Sequence, residues 1–237
     1  MTMTPPALNA VPYRDRRAAG HCLAQSLAGY EDLGDILVLA IPPGGAEIAE
    51  EVAQLLGAEL DVFIVAPIRA ASGVCVGTLA SGGVCVLHQD VLRQTSIDPT
   101  DIADTVVRVR EGVLLREQFY RAGRERKEIA ERNVVLVADG AASGRLIRSA
   151  LAAVRSYGPT SVTVALPVAS ADALAAVTAE ADETVCPHVP EPFYAIGLAY
   201  ERYPELDDTT VRACLERIHT ARPAPLETVP VELDGTR

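Results

Sequence analysis

Val134-Val135-Leu136-Val137-Ala138-Asp139-Gly140-Ala141-Ala142-Ser143-Gly144 decides how this chain is read. A continuous apolar run ends in an acid and crosses a loop of small residues carrying one hydroxyl. It then enters a segment with Leu146, Ile147, Ala150, Leu151 and Val154 at helical spacing. A short strand that is apolar at every position is buried on both faces, as in parallel sheets flanked by helices. The pattern predicts a strand over 133–138 and a helix over 145–157, ended by Gly158-Pro159.

The same alternation continues on both sides. A helix is expected over 14–27, with Ala18, Cys22, Leu23 and Leu27 on one face, and Ile36 to Ala40 reads as another doubly buried strand. Pro42-Pro43-Gly44-Gly45 breaks that strand, a helical pattern follows up to Gly57, and 62–65 is the next strand. Strand, turn, helix and strand within about thirty residues is the length of a βαβ unit. Downstream come a strand over 162–166, a helix over 171–180 and a short strand over 184–186. Between the two halves, 74–80 and 84–88 flank Ser81-Gly82-Gly83 as a hairpin. Asp98-Pro99-Thr100-Asp101 starts a long helix reaching about Gly123, with Asp at the cap and Pro at the first helical position. Arg124-Glu125-Arg126-Lys127-Glu128 alternates in sign and reads as a solvated connector. The expected fold is α/β, a doubly wound, mainly parallel sheet in a domain over 13–220, with a hairpin and long-helix insertion over 66–130 and a C-terminal arm packed on the core. Residues 1–12 read as a flexible arm and 221–237 as a flexible tail. In such sheets ligands belong at the carboxyl ends of the strands.

Composition narrows the function. The 237 residues carry a formal net charge of −11, and nucleic-acid binding needs clustered Lys and Arg, so no nucleic-acid partner is expected. With aromatics at 4% and no Trp, stacking platforms for single strands are not expected either. A small phosphorylated ligand stays open, because helix termini hold anions locally. Neither a signal peptide nor a run of about 18 apolar residues is visible, so a cytoplasmic protein with no membrane partner is expected. Five scattered cysteines read as reduced thiols. Cys186-Pro187-His188 lacks a second pair at zinc spacing, so no metal is expected on protein ligands alone.

The chemistry lies in Asp139, Gly140, Ala141, Ala142, Ser143 and Gly144. Small side chains let backbone N–H groups approach an anion, the helix N-terminus adds about half a positive charge, and Ser143 donates a further hydrogen bond. Asp139 would accept from sugar hydroxyls. Together these describe a ribose 5-phosphate cradle, although a plain strand-to-helix turn favours the same Gly and Ser. The loop has no Lys after its last Gly and no G-x-S-x-G, and the chain has no G-x-G-x-x-G. A Walker A loop, a nucleophile elbow and a dinucleotide fingerprint are therefore excluded.

Four further segments extend the pattern: Tyr13-Arg14-Asp15-Arg16-Arg17-Ala18-Ala19-Gly20, Leu39-Ala40-Ile41-Pro42-Pro43-Gly44-Gly45, Gly77-Thr78-Leu79-Ala80-Ser81-Gly82-Gly83 and Pro190-Glu191-Pro192-Phe193-Tyr194-Ala195-Ile196-Gly197-Leu198. With the 138–144 loop, and over about residues 13–218, the chain resembles the type I phosphoribosyltransferase family in its bacterial "predicted phosphoribosyltransferase" branch. The resemblance implies a glycosyltransferase of nucleotide metabolism whose partner is phosphoribosyl pyrophosphate or a nucleotide. Mg²⁺ is implied if the protein is catalytic. It makes Asp139 the catalytic acid of the phosphate loop, places Pro43, Gly44 and Gly45 in the pyrophosphate loop, and sets Phe193 and Tyr194 as a hood over the acceptor. The 102–113 helix and the hairpin could supply a homodimer surface, which a lid contact within the chain would explain equally.

The chain departs from the family pattern where charge is needed. Ala138 replaces the first of two acids, Pro43 replaces an Arg before the paired glycines, and Ala66-Pro67 stand where Arg-Lys is usual. Residues 70–74, in the place of the family's mobile loop, hold no charge or imidazole. Arg69 and Arg145 are the candidates to compensate. Losing one preorganised donor costs about 2–4 kcal/mol of transition-state stabilisation, so the expectation is a retained pocket with transferase activity weak or lost. A non-catalytic nucleotide-binding regulator and a repurposed glycosyl enzyme are the alternatives.

Overall fold

The computed structural model describes residues 13–94 and 99–221. In chain order its elements are α1 (Arg16–Ser26), β1 (Ile36–Ala40), α2 (Gly45–Leu55), β2 (Glu59–Val62), β3 (Val65–Arg69), β4 (Cys75–Ala80), β5 (Cys85–Leu87), α3 (Gln89–Gln94) and α4 (Pro99–Arg121). They continue with β6 (Asn133–Val137), α5 (Arg145–Arg155), β7 (Ser161–Ala165), α6 (Ala171–Thr178), β8 (Glu183–Val185) and α7 (Asp208–Ala221). Five strands form a parallel sheet in the order β2-β1-β6-β7-β8. Side chains alternate across it. Val38, Leu60 and Val135 meet α2 and α7 through Ile48, Val52, Val211 and Leu215 on one face. Leu37, Leu39 and Leu136 meet α5 through Ile147 and Leu151 on the other. Burial on both faces explains why β1 and β6 are apolar throughout. The expected doubly wound α/β fold is what forms.

The strand expected over 62–65 is two strands. β2 ends at Val62 and β3 starts at Val65, and at Ile64 the backbone N–H donates to Ser81 Oγ (2.8 Å) while its carbonyl accepts from the Ser81 N–H (2.8 Å). A residue 17 positions away thus turns the chain out of the main sheet, and no local pattern carries that signal. β3 joins the expected hairpin to make an antiparallel sheet, β3-β4-β5. Residues 70–74 form a closed turn, with Ala70 N–H on Val74 O (2.9 Å) and Gly73 N–H on Ala70 O (2.8 Å).

The 124–128 segment is not a solvated connector. Lys127 pairs with Glu59 (2.8 Å), the Lys127 N–H donates to Asp61 (3.0 Å), and Arg126 lies 4.2 Å over the Tyr157 ring. Asp61 also receives Arg121 (2.9 Å), so the end of α4 and the segment after it are strapped along the edge strand β2. Covering an exposed edge this way blocks pairing with another chain. Helix α7 is not among the elements expected from the sequence. Its start is marked by Asp207, whose carboxylate accepts the Thr210 N–H (2.8 Å), and Val211, Cys214, Leu215 and Ile218 are buried at helical spacing. Asp98, the arm over 1–12 and the tail beyond 221 lie outside the described residues. Among the described residues no helix is long and apolar enough to cross a membrane.

Candidate functional site

β1 and β6 are neighbours, but the chain leaves them in opposite directions along the sheet, from β1 to β2 and from β6 to β7. The crevice outside their carboxyl ends is the topological switch point, where doubly wound sheets place ligands. A cleft of about 680 Å³ opens there. Pro42, Pro43 and Gly44 line it from the loop after β1, and Ala138, Asp139 and Gly140 from the loop after β6. Arg16 of α1, Leu146 of α5, Ile196 and residues 203–206 complete the wall.

Asp139 is the centre of this site. Its Oδ2 accepts from Tyr203 OH (2.6 Å) and pairs with Arg16 Nε (3.3 Å), while its carbonyl accepts from Tyr200 OH (2.7 Å). Arg16 is only 5% exposed. Its Nη1 donates to Pro204 O (2.7 Å) and its guanidinium lies 3.8 Å over the Tyr203 ring, which stacks in turn on Tyr200 (4.9 Å between centroids). Each group fixes another, so the carboxylate is held in one orientation. Among the described residues, Asp139 Oδ1 accepts no hydrogen bond. Burial, with the Asp139 carboxylate beside it, pushes the Tyr203 hydroxyl up to about 12, so it stays protonated and donates throughout the physiological range. The more deeply buried Tyr200 hydroxyl is raised further still.

The glycines of the two loops have a structural cause. A Cβ on Gly44 would stand 1.7 Å from Asp139 Oδ2, and one on Gly45 would meet Val137 O at 2.7 Å. The loop after β1 therefore lies directly against the acid. Gly140 (φ 153°) is covered by Ile196 and Val168, whose side chains a Cβ would meet at 2.8 and 2.9 Å.

The remaining site residues divide. Ala141 is buried and its N–H donates to Val168 O (3.0 Å), so that N–H is not free for an anion. Ala142 and Ser143 are exposed just before α5, whose left-handed cap Gly144 (φ 66°) places no side chain on the helix N-terminus. Arg69 is exposed on β3 and donates to Gly73 O (3.2 Å), away from the cleft. Arg145 lines a separate hollow with His88 and Arg148. Neither lines the cleft beside Pro43. Phe193 packs on the small cluster of Ala19, Val168, Ala199 and Tyr200, Tyr194 is 78% exposed, and neither lines the cleft. The C-terminal segment does cover the site, but through Ile196 and residues 203–206. Sequence reasoning missed Arg16, Tyr200 and Tyr203. Arg16 stands in a quoted motif, yet nothing there separates it from Arg14 or Arg17.

No protein-family model matches the chain. It is 35% identical over 210 residues to two curated proteins of Mycobacterium tuberculosis, "Putative phosphoribosyl transferase MT0597" (strain CDC 1551 / Oshkosh) and "Putative phosphoribosyl transferase Rv0571c" (strain ATCC 25618 / H37Rv). The match covers 87% of this chain and 47% of theirs, so the chain spans about half the length of these relatives. Among solved structures it is similar to TT1426 from Thermus thermophilus, with a TM-score of 0.74 and 38% identity, covering 87% of this chain and 98% of that one.

Proposed function

The chain belongs to the phosphoribosyltransferase family, and from that premise we propose that its switch-point cleft binds a 5-phosphorylated ribose, as phosphoribosyl pyrophosphate or a nucleotide. The observation that supports this best is the state of Asp139. Arg16 and Tyr203 occupy one carboxylate oxygen and leave the other to accept from ribose hydroxyls. The uncapped N-terminus of α5, with the exposed Ser143 hydroxyl beside it, takes the phosphate.

Transfer of the ribosyl group asks for more. Pyrophosphate leaving C1 develops negative charge that fixed donors must meet. Magnesium bound through substrate phosphates needs one or two free carboxylates. Here one Asp139 oxygen is taken by Arg16 and Tyr203 and the other is turned to the ribose hydroxyls, position 138 is a buried Ala, and the remaining carboxylate of the cleft is the exposed Glu205. Among the described residues no three His, Cys, Asp or Glu side chains gather to hold a metal. The residues present do not fit a protein-held magnesium ion, and no step is assigned to one. This favours weak or absent turnover, and a non-catalytic ligand-binding regulator is the second reading.

Calorimetric titration with ribose 5-phosphate, nucleoside 5′-monophosphates and phosphoribosyl pyrophosphate, beside an assay for pyrophosphate release with mixed bases, tests the proposal. Binding is expected to weaken at least tenfold, about 1.4 kcal/mol, in Asp139→Ala. Turnover that disappears in that variant would establish a working transferase, and binding without turnover the regulator. No binding of any phosphorylated ribose at millimolar concentration would overturn the proposal.

A further inference from the structure

The charges and surfaces of the cleft say which phosphorylated ribose fits. Arg16 is the one Lys or Arg lining the cleft among the described residues, and its charge is already met by Asp139. Glu205 at the wall adds a negative charge, so the lining carries one cation and two carboxylates. Pro43 is exposed there and contributes none. A helix N-terminus supplies about half a positive charge, enough to favour a single phosphate but little against a second highly charged group. A pyrophosphate at C1 would sit among uncompensated like charges. The rest of the lining, from Leu146, Ile196, Leu206 and the Tyr203 ring, is apolar and suits a flat, uncharged group.

We propose, building on the function above, that the cleft selects a nucleoside 5′-monophosphate over phosphoribosyl pyrophosphate and binds it without a divalent cation. Arg16 takes the place of the cation by holding Asp139 toward the sugar. The base lies against the apolar wall formed by Leu146, Ile196 and Leu206, and the one phosphate rests at α5.

The test is a set of titrations of the full chain with purine and pyrimidine nucleoside 5′-monophosphates, ribose 5-phosphate and phosphoribosyl pyrophosphate, each in EDTA and in Mg²⁺. At least one monophosphate is expected to bind tenfold or more tighter than phosphoribosyl pyrophosphate, with a Kd unchanged by the metal. Pro43→Arg, which adds a cation at an exposed position, is expected to narrow that gap by tightening phosphoribosyl pyrophosphate alone. Tighter binding of phosphoribosyl pyrophosphate than of every monophosphate, or binding seen only with Mg²⁺, would overturn this inference while leaving the family function standing. Failure of all the ligands would instead remove the function on which it rests. Should Pro43→Arg not fold, the wild-type titrations still decide.

Discussion

Arg16 and Arg17 are neighbours on α1 and both pair with an acid, but the two pairs have different architectures. Arg17 reaches Glu50 (2.9 Å) and Glu51 (2.7 Å) of α2, and Arg217 of α7 closes on Glu50 from the other side. Glu50 is 1% exposed and both its oxygens are taken, Oε1 by Arg217 and Oε2 by Arg217 and Arg17. Arg16 reaches an Asp139 that has one oxygen filled and faces a cleft. A saturated carboxylate between three helices is a fastener, whereas the half-satisfied one at the switch point is, on the proposed function, a receptor. The difference lies in what each acid has left to accept, which the shared chemistry of the two arginines does not reveal.

The largest effect should come from undoing the fastener. Arg17→Ala with Arg217→Ala leaves the Glu50 carboxylate buried and unpaired, and a loss of about 3–5 kcal/mol is expected in urea denaturation, with ligand affinity of the folded fraction unchanged. A parallel loss of affinity would show that the two clusters are not separable. Gly44→Ala is expected to act the opposite way. The added Cβ meets Asp139 Oδ2, so ligand Kd should rise about 10–100-fold, or about 1.4–2.8 kcal/mol, by calorimetry. Tyr203→Phe keeps the ring under Arg16 and removes one hydrogen bond to Asp139, so about 1 kcal/mol, roughly a fivefold weaker Kd, is expected. An unaltered Kd would remove Tyr203 from the receptor.

The gentlest probe is acid. Burial alone would raise the Glu50 carboxyl, but Arg217 and Arg17 hold it below its ordinary value. A carboxyl depressed in the folded state contributes stability that is present above its unfolded value, about 4.3, and is lost as pH falls through the lower folded value. Glu50→Gln should therefore flatten the acid limb of the stability curve measured below that pH. Retention of the full acid limb would assign it to other groups.

Much of this architecture is legible because burial on both sheet faces writes itself as uninterrupted apolar runs, as in β1 and β6. The Asp139 loop is legible for the same reason, since an acid after such a run must lie at a strand end. The break between Val62 and Val65 is not, because Ser81 makes it from across the hairpin. Helix α7 carries its own signal in Asp207, Val211, Leu215 and Ile218, yet without a neighbouring strand that signal reads as part of an arm. The clamp is hidden for a deeper reason. Arg16 and Tyr203 meet Asp139 across 123 and 64 positions of sequence, and no local spacing encodes such a meeting.

That separation also sets when the cleft exists. Tyr13 is bridged to Tyr200, the Glu201 N–H donates to Tyr13 O (2.7 Å), and Arg16 reaches Pro204 across 188 positions. The two flanks of the fold are zipped together directly over Asp139. Contacts this distant carry the greatest loop-closure entropy, so they are expected to form once the sheet between them is in place. The carboxylate owes its orientation to these contacts and not to its own loop. On the proposed function, a ligand that recognises the oriented acid would recognise the finished fold and stabilise that last joint of the chain.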